Sequence, residues 1–125
     1  MEFKASEIDL VIEKLIETNK PYYSIDFQKL YFKDWQVLKI KTIFKYLIEN
    51  HKDLLEYAEN SDIYGYCIEM GEHKEIWKTE LEKGGFTAFW KKKEDFKTTL
   101  KNTLTGANTS VSIINSIVSL VDKFI

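Results

Sequence analysis

The sequence predicts a mainly α-helical protein with one small β element and an amphipathic helix at its C-terminus. Three observations carry that expectation. Apolar residues recur at steps of three and four along most of the 125 residues. Ile63 to Gly71 alone forms a β-branched, aromatic run bounded by turn residues at one end and glycine at the other. The composition, 44% hydrophobic and 14% aromatic, disfavours disorder and suits one core, and the length leaves little room for a second domain.

Each element has a local reason. Ser6 is a good N-cap with Asp9 in the capping-box position, and Ile8, Val11, Ile12, Leu15 and Ile16 then share one helical face. Pro21 ends that helix, because proline disfavours helical geometry in the residue before it. Tyr22 to Ile25 is a small strand or an extended connector, and Asp26 caps a short helix over Phe27–Phe32. Asp34 caps a longer helix from Trp35 to about Asn50, with Val37, Ile40, Ile43, Phe44, Leu47 and Ile48 inward. Leu54 to Glu59 continues as a further turn or two. Asn60-Ser61-Asp62 turns the chain into the strand run, and Glu72 to Lys83 is helical, with Ile76, Trp77 and Leu81 on one face. Gly84-Gly85 closes it, Phe86 to about Leu104 resumes as helix, and a last helix runs from Thr109 to Ile125. The expected division is a helical domain over 1–104 and a C-terminal amphipathic helix over 105–125, packed on the domain or on a second copy.

Charge narrows the function. All eighteen basic residues are lysine, against thirteen Glu and seven Asp, for a net charge of -2. Without arginine there is no bidentate fork for guanine edges or phosphates. The charges are also segregated. Residues 27–53 net +3 and 83–101 net +4, whereas 54–82 net -6. One cysteine, Cys67, fits a reducing compartment. The N-terminus lacks the apolar stretch of a signal peptide, and no run of 18 apolar residues exists, so the chain reads as cytoplasmic.

No constellation points to catalysis. Cys67 and His73 are the only nucleophile and base close in sequence, and nothing supplies a third group. Glu69, Glu72, His73 and Glu75 include metal-ligand types, but acids at a helix start ordinarily serve the dipole. The expectation is a non-enzymatic protein with no cofactor and no metal.

Two segments stand out as contact surfaces. In the first, Phe86, Phe89 and Trp90 follow the glycine pair at spacing i, i+3, i+4, and Lys91, Lys92 and Lys93 come next. This reads as an aromatic-basic partner-binding surface, or as a hinge whose aromatics close the core. The run Gly84-Gly85-Phe86-Thr87-Ala88-Phe89 resembles a turn in small, uncharacterised bacterial and phage proteins with a winged-helix-like N-terminal part and a helical, often hydrophobic tail. The resemblance covers about residues 30–95. It implies a winged-helix-like α+β architecture, with Ile63–Met70 as a wing strand and 72–83 as the helix after it. It brings over no catalytic residues, and this chain departs from it in a tail rich in Ser and Asn.

The tail is the second segment. Asn102 to Val121 holds no charge, and eleven of those twenty residues are polar or glycine. Val111, Ile114, Val118, Val121 and Ile125 recur at steps of three and four, with Ile113, Ile117, Leu120 and Phe124 beside them. Core helix, seam between copies and membrane-lying helix are the three readings. The leading function is a protein-interaction or regulatory module, of the phage- or defence-associated adaptor kind. Its homo-oligomer contact would use Val111, Ile114, Ile117, Val118, Val121 and Ile125. The alternative is a DNA-binding winged-helix regulator using Gln36, Lys39, Lys41, Thr42 and Lys45, which the acidic total and missing arginine count against. A third is a small membrane-active effector acting through residues 106–125.

Overall fold

The computed structural model describes residues 3–61 and 63–124. It is mainly α-helical with a small antiparallel sheet, as the sequence predicts. The chain forms two compact units, Met1–Phe86 and Thr87–Ile125.

The first unit opens with α1 (Ala5–Glu17), β1 (Tyr22–Tyr23), α2 (Ser24–Tyr31) and α3 (Val37–His51). It continues with β2 (Tyr57–Ser61), β3 (Gly65–Glu69) and α4 (Lys74–Glu82), with short 3-10 turns at Lys52–Leu54 and Gly71–His73. The sheet order is β1-β3-β2, with both pairings antiparallel. Register places Tyr23 opposite Cys67 and Glu59 opposite Cys67, so the three strands align across that row.

The core follows the helical periodicity. α1 buries Ile8, Val11, Ile12 and Leu15, and α3 buries Ile40, Ile43, Phe44 and Leu47. Phe27, Ile68 and Met70 fill the space toward the sheet, and the Phe27 and Phe44 rings pack 5.2 Å apart. Gln28 fixes the turn between α2 and α3. Its side-chain amide donates to the carbonyls of Phe32 at 3.1 Å and Trp35 at 2.9 Å. The Phe32 carbonyl also accepts the Trp35 backbone N–H at 3.0 Å, so side chain and backbone hold the turn together.

Several local expectations are corrected. α1 begins two residues early, at the Lys4 cap, where Glu7 accepts the Lys4 backbone N–H at 2.8 Å, so Ser6 is inside the helix. Asp9 serves a different helix, as described below. α2 starts at Ser24, with Asp26 in its first turn instead of capping it. Residues 57–61, of which 57–59 are expected as further helix and 60–61 as a turn, are β2. The reason is non-local, because five residue pairs from Tyr57–Glu69 to Ser61–Gly65 register β2 on β3. The hairpin closes through Ser61, whose Oγ accepts the backbone N–H of Ile63 and Tyr64 at 3.3 and 3.2 Å. Gly65 then takes a φ of +86°, and a Cβ there would lie 2.5 Å from Ser24 Oγ.

The second unit holds most of α5 (Gly85–Gly106) and all of α6 (Val111–Phe124). α5 ends with Asn108 at φ 59°, where the Asn108 N–H reaches the Thr105 carbonyl and the Thr109 N–H reaches that of Leu104, both at 3.1 Å. This is a Schellman ending with asparagine in the usual glycine position. Ser110 caps α6, its carbonyl accepting the Ile114 N–H at 3.0 Å.

Candidate interaction surfaces

The glycine pair joins α4 to α5. Gly84 and Gly85 have φ of 107° and 58°, conformations that L residues with a side chain rarely adopt. Gly85 also lies against α1. A Cβ there would stand 2.4 Å from Asp9 Oδ1, and that oxygen accepts the Phe86 backbone N–H at 2.8 Å. Asp9 therefore satisfies an orphan donor in the first turn of α5 and places a carboxylate at its positive end.

Phe86 is buried within the first unit. Its ring lies 5.1 Å from His51, 5.9 Å from Tyr46 and 6.5 Å from Trp77. Burial in that cluster pulls the His51 pKa below its ordinary value of 6.5. The Trp77 indole N–H donates to the Leu54 carbonyl at 2.7 Å, which ties the cluster to the 3-10 turn after α3. Of the six residues of the aromatic-basic run, Phe86 is thus held inside. Phe89, Lys91 and Lys92 are exposed, and Trp90 and Lys93 are half-buried. The structure does not gather the six on one open face.

The residues expected to face nucleic acid also divide. Lys41, Lys45 and Gln36 are exposed, while Thr42 is half-buried and bonds back to the Leu38 carbonyl at 2.7 Å. Lys39 points at α1, where its ammonium meets Glu7 at 2.6 Å and holds that carboxyl below the usual carboxylate range. The hairpin Tyr57–Glu69 brings no lysine to join them.

α6 carries the two adjacent apolar rows that the sequence marks. Ile114, Val118 and Val121 form the first, with Ile114 4% exposed and Val121 6%. Ile113, Ile117 and Leu120 form the second at the same i, i+4, i+7 spacing, and there Ile113 is 53% exposed and Leu120 51%. Val111 is exposed at the helix start, and Ile117 and Val118 are intermediate. Ile125, expected in the seam, lies outside the described residues. Sequence periodicity marks both rows. The degree of burial distinguishes them, and it turns attention to Ile113 and Leu120.

Chemistry at Cys67 is unfavourable. Burial, reinforced by the Glu59 and Glu69 carboxylates, pushes its thiol up to about 11, so it stays protonated and a poor nucleophile. Among the described residues no three His, Cys, Asp or Glu side chains converge as a metal site, and no helix is long and apolar enough to cross a membrane. No family model matches the chain, and neither a curated protein nor a solved structure does.

Proposed function

We propose that the protein is a non-enzymatic interaction module that associates with a second copy through the exposed row of α6. The observation that carries this reading is the second apolar row, Ile113, Ile117 and Leu120, on a helix whose first row is already buried at Ile114 and Val121. Leaving leucine and isoleucine in water forgoes about 25 cal/mol per Å² of apolar surface, and a second copy recovers it. The uncharged Ser and Asn residues of α6 admit close approach of another helix without burying charge. The solution mass of the full chain, compared with a chain ending at Leu104, tests the reading. A full-length oligomer beside a monomeric truncation supports it, and two monomers rule it out.

A second reading rests on topology. The order α1, β1, α2, α3, β2, β3, with sheet order β1-β3-β2, is compatible with a winged-helix-like reading, in which α3 would enter a DNA groove. Exposed Lys41 and Lys45 favour it. The acidic hairpin Tyr57–Glu69 counts against it, because its place is that of the wing beside phosphate. Binding of duplex DNA that weakens steeply with salt would establish this alternative, and no binding at about 50 mM salt removes it.

A further inference from the structure

The outer face of the hairpin carries an aromatic cluster around Glu59, with a second carboxylate, Glu69, on the same face opposite Tyr57. Tyr23 and Glu59 both register with Cys67, so Tyr23, Cys67 and Glu59 form a row across β1, β3 and β2. Tyr57 lies two residues before Glu59 and shares its face, because side chains alternate along a strand. The Tyr57 hydroxyl donates to Glu59 Oε2. The Tyr64 ring reaches over from the hairpin tip to 5.3 Å from Tyr23, and Ile63 beside it is 77% exposed. Beneath this layer Cys67 is buried.

The electrostatics have one sign. Residues 54–82 hold eight acids against two lysines, and neither lysine is in the hairpin. No ion pair reaches Glu59 among the described residues. A carboxylate accepts about four hydrogen bonds, and Tyr57 and Tyr23 take two of them. The faces of the surrounding rings are electron-rich and attract a cation. The pKa of Tyr57 is pushed up to about 12, mainly by its bond to Glu59, so the phenol stays neutral and keeps the carboxylate in place.

We propose that Tyr23, Tyr57, Tyr64 and Glu59 form a binding site for a lysine or arginine side chain presented by a basic segment of a partner protein. Charge complementarity selects this partner. The cation meets Glu59, its aliphatic stem lies along the tyrosine rings, and Ile63 covers the adjoining apolar surface. The proposal does not rest on self-association through α6.

The test is a titration of the isotope-labelled full-length chain with a capped hexapeptide of alternating glycine and lysine, followed by amide shifts. Saturable shifts centred on 57–69 and Tyr23 are expected. Glu59→Gln should weaken binding about tenfold, the loss of one charge-assisted contact. Tyr57→Phe should weaken it less, and the same peptide with acetylated lysines should not bind. Amide shifts outside the hairpin confirm that both variants are folded. No saturable shift, shifts centred elsewhere, or equal affinity for Glu59→Gln overturns the site. A change in solution mass with Glu59→Gln would make the occupant a second copy and overturn the proposal as well. A monomeric chain that still binds the peptide would sink self-association and leave this site standing.

Discussion

α3 and α6 are built from similar apolar repeats and end in opposite conditions. In α3 the residues Ile40, Ile43, Phe44 and Leu47 are all fully buried, and the polar residues beside them face outward or pair with neighbouring elements. In α6 the apolar content is higher, yet Val111, Ile113 and Leu120 remain more than half exposed. A helix with one apolar stripe is satisfied by one neighbour, whereas a helix with two needs a second. The stripe of α3 is closed by the first unit's own side chains, with Leu38 left 59% exposed outside it, whereas α6 keeps a second row to offer.

Substitutions sharpen that contrast, beginning with the largest effect. Phe44→Ala should cost about 3–5 kcal/mol, because it empties a site filled from several sides. Ile113→Ala should cost the monomer well under 1 kcal/mol, since its side chain is already in water. Chemical denaturation of both at micromolar concentration checks the difference. Similar losses at the two positions would break the contrast.

The start of α5, inside the first unit, gives the next largest effect. Gly85→Ala should destabilise by about 1–2 kcal/mol, since alanine at that positive φ is strained and its methyl would strike Asp9. Asp9→Ala should cost about 1 kcal/mol by removing the cap on Phe86. The two should not add, because both act through one contact. Thermal unfolding of the single and double variants measures the coupling, and full additivity would show that Asp9 and Gly85 act separately.

The smallest effect is one of pH. The folded pKa of His51 lies below its ordinary value of 6.5, so on acidification the unfolded chain takes the proton first. Stability should therefore fall as pH drops through 6.5 toward the folded value. His51→Phe should flatten the melting temperature over that interval, and an unchanged slope would place the proton uptake elsewhere.

What the sequence made legible follows from which interactions are local. The inward faces of α1 and α3 could be read because Ile8, Val11, Ile12 and Leu15, or Ile40, Ile43, Phe44 and Leu47, announce their own period. β2 could not, because Tyr57-Ala58-Glu59-Asn60-Ser61 has little strand character and becomes a strand only by pairing with β3. Asp9 looked like a cap for its own helix, and its actual partner lies 77 residues further on. Lys39 looked like a free cation on a helix face, and Glu7 of another helix engages it. In α6 both apolar rows were visible, but which was buried depends on tertiary packing that no local pattern encodes. The Tyr23, Tyr57, Tyr64 and Glu59 cluster was hidden for the same reason, since three strands bring it together.

The exposed row of α6 is most directly tested by light scattering on the full chain and its Ile113→Lys, Leu120→Lys double variant across a range of concentrations. Both positions are open to solvent in the monomer, so lysine there should leave the fold intact by circular dichroism. A wild-type chain whose mass rises above 14.8 kDa in whole multiples, beside a variant that stays at the monomer mass, is the expected result. Equal masses for the two proteins at every concentration would contradict it.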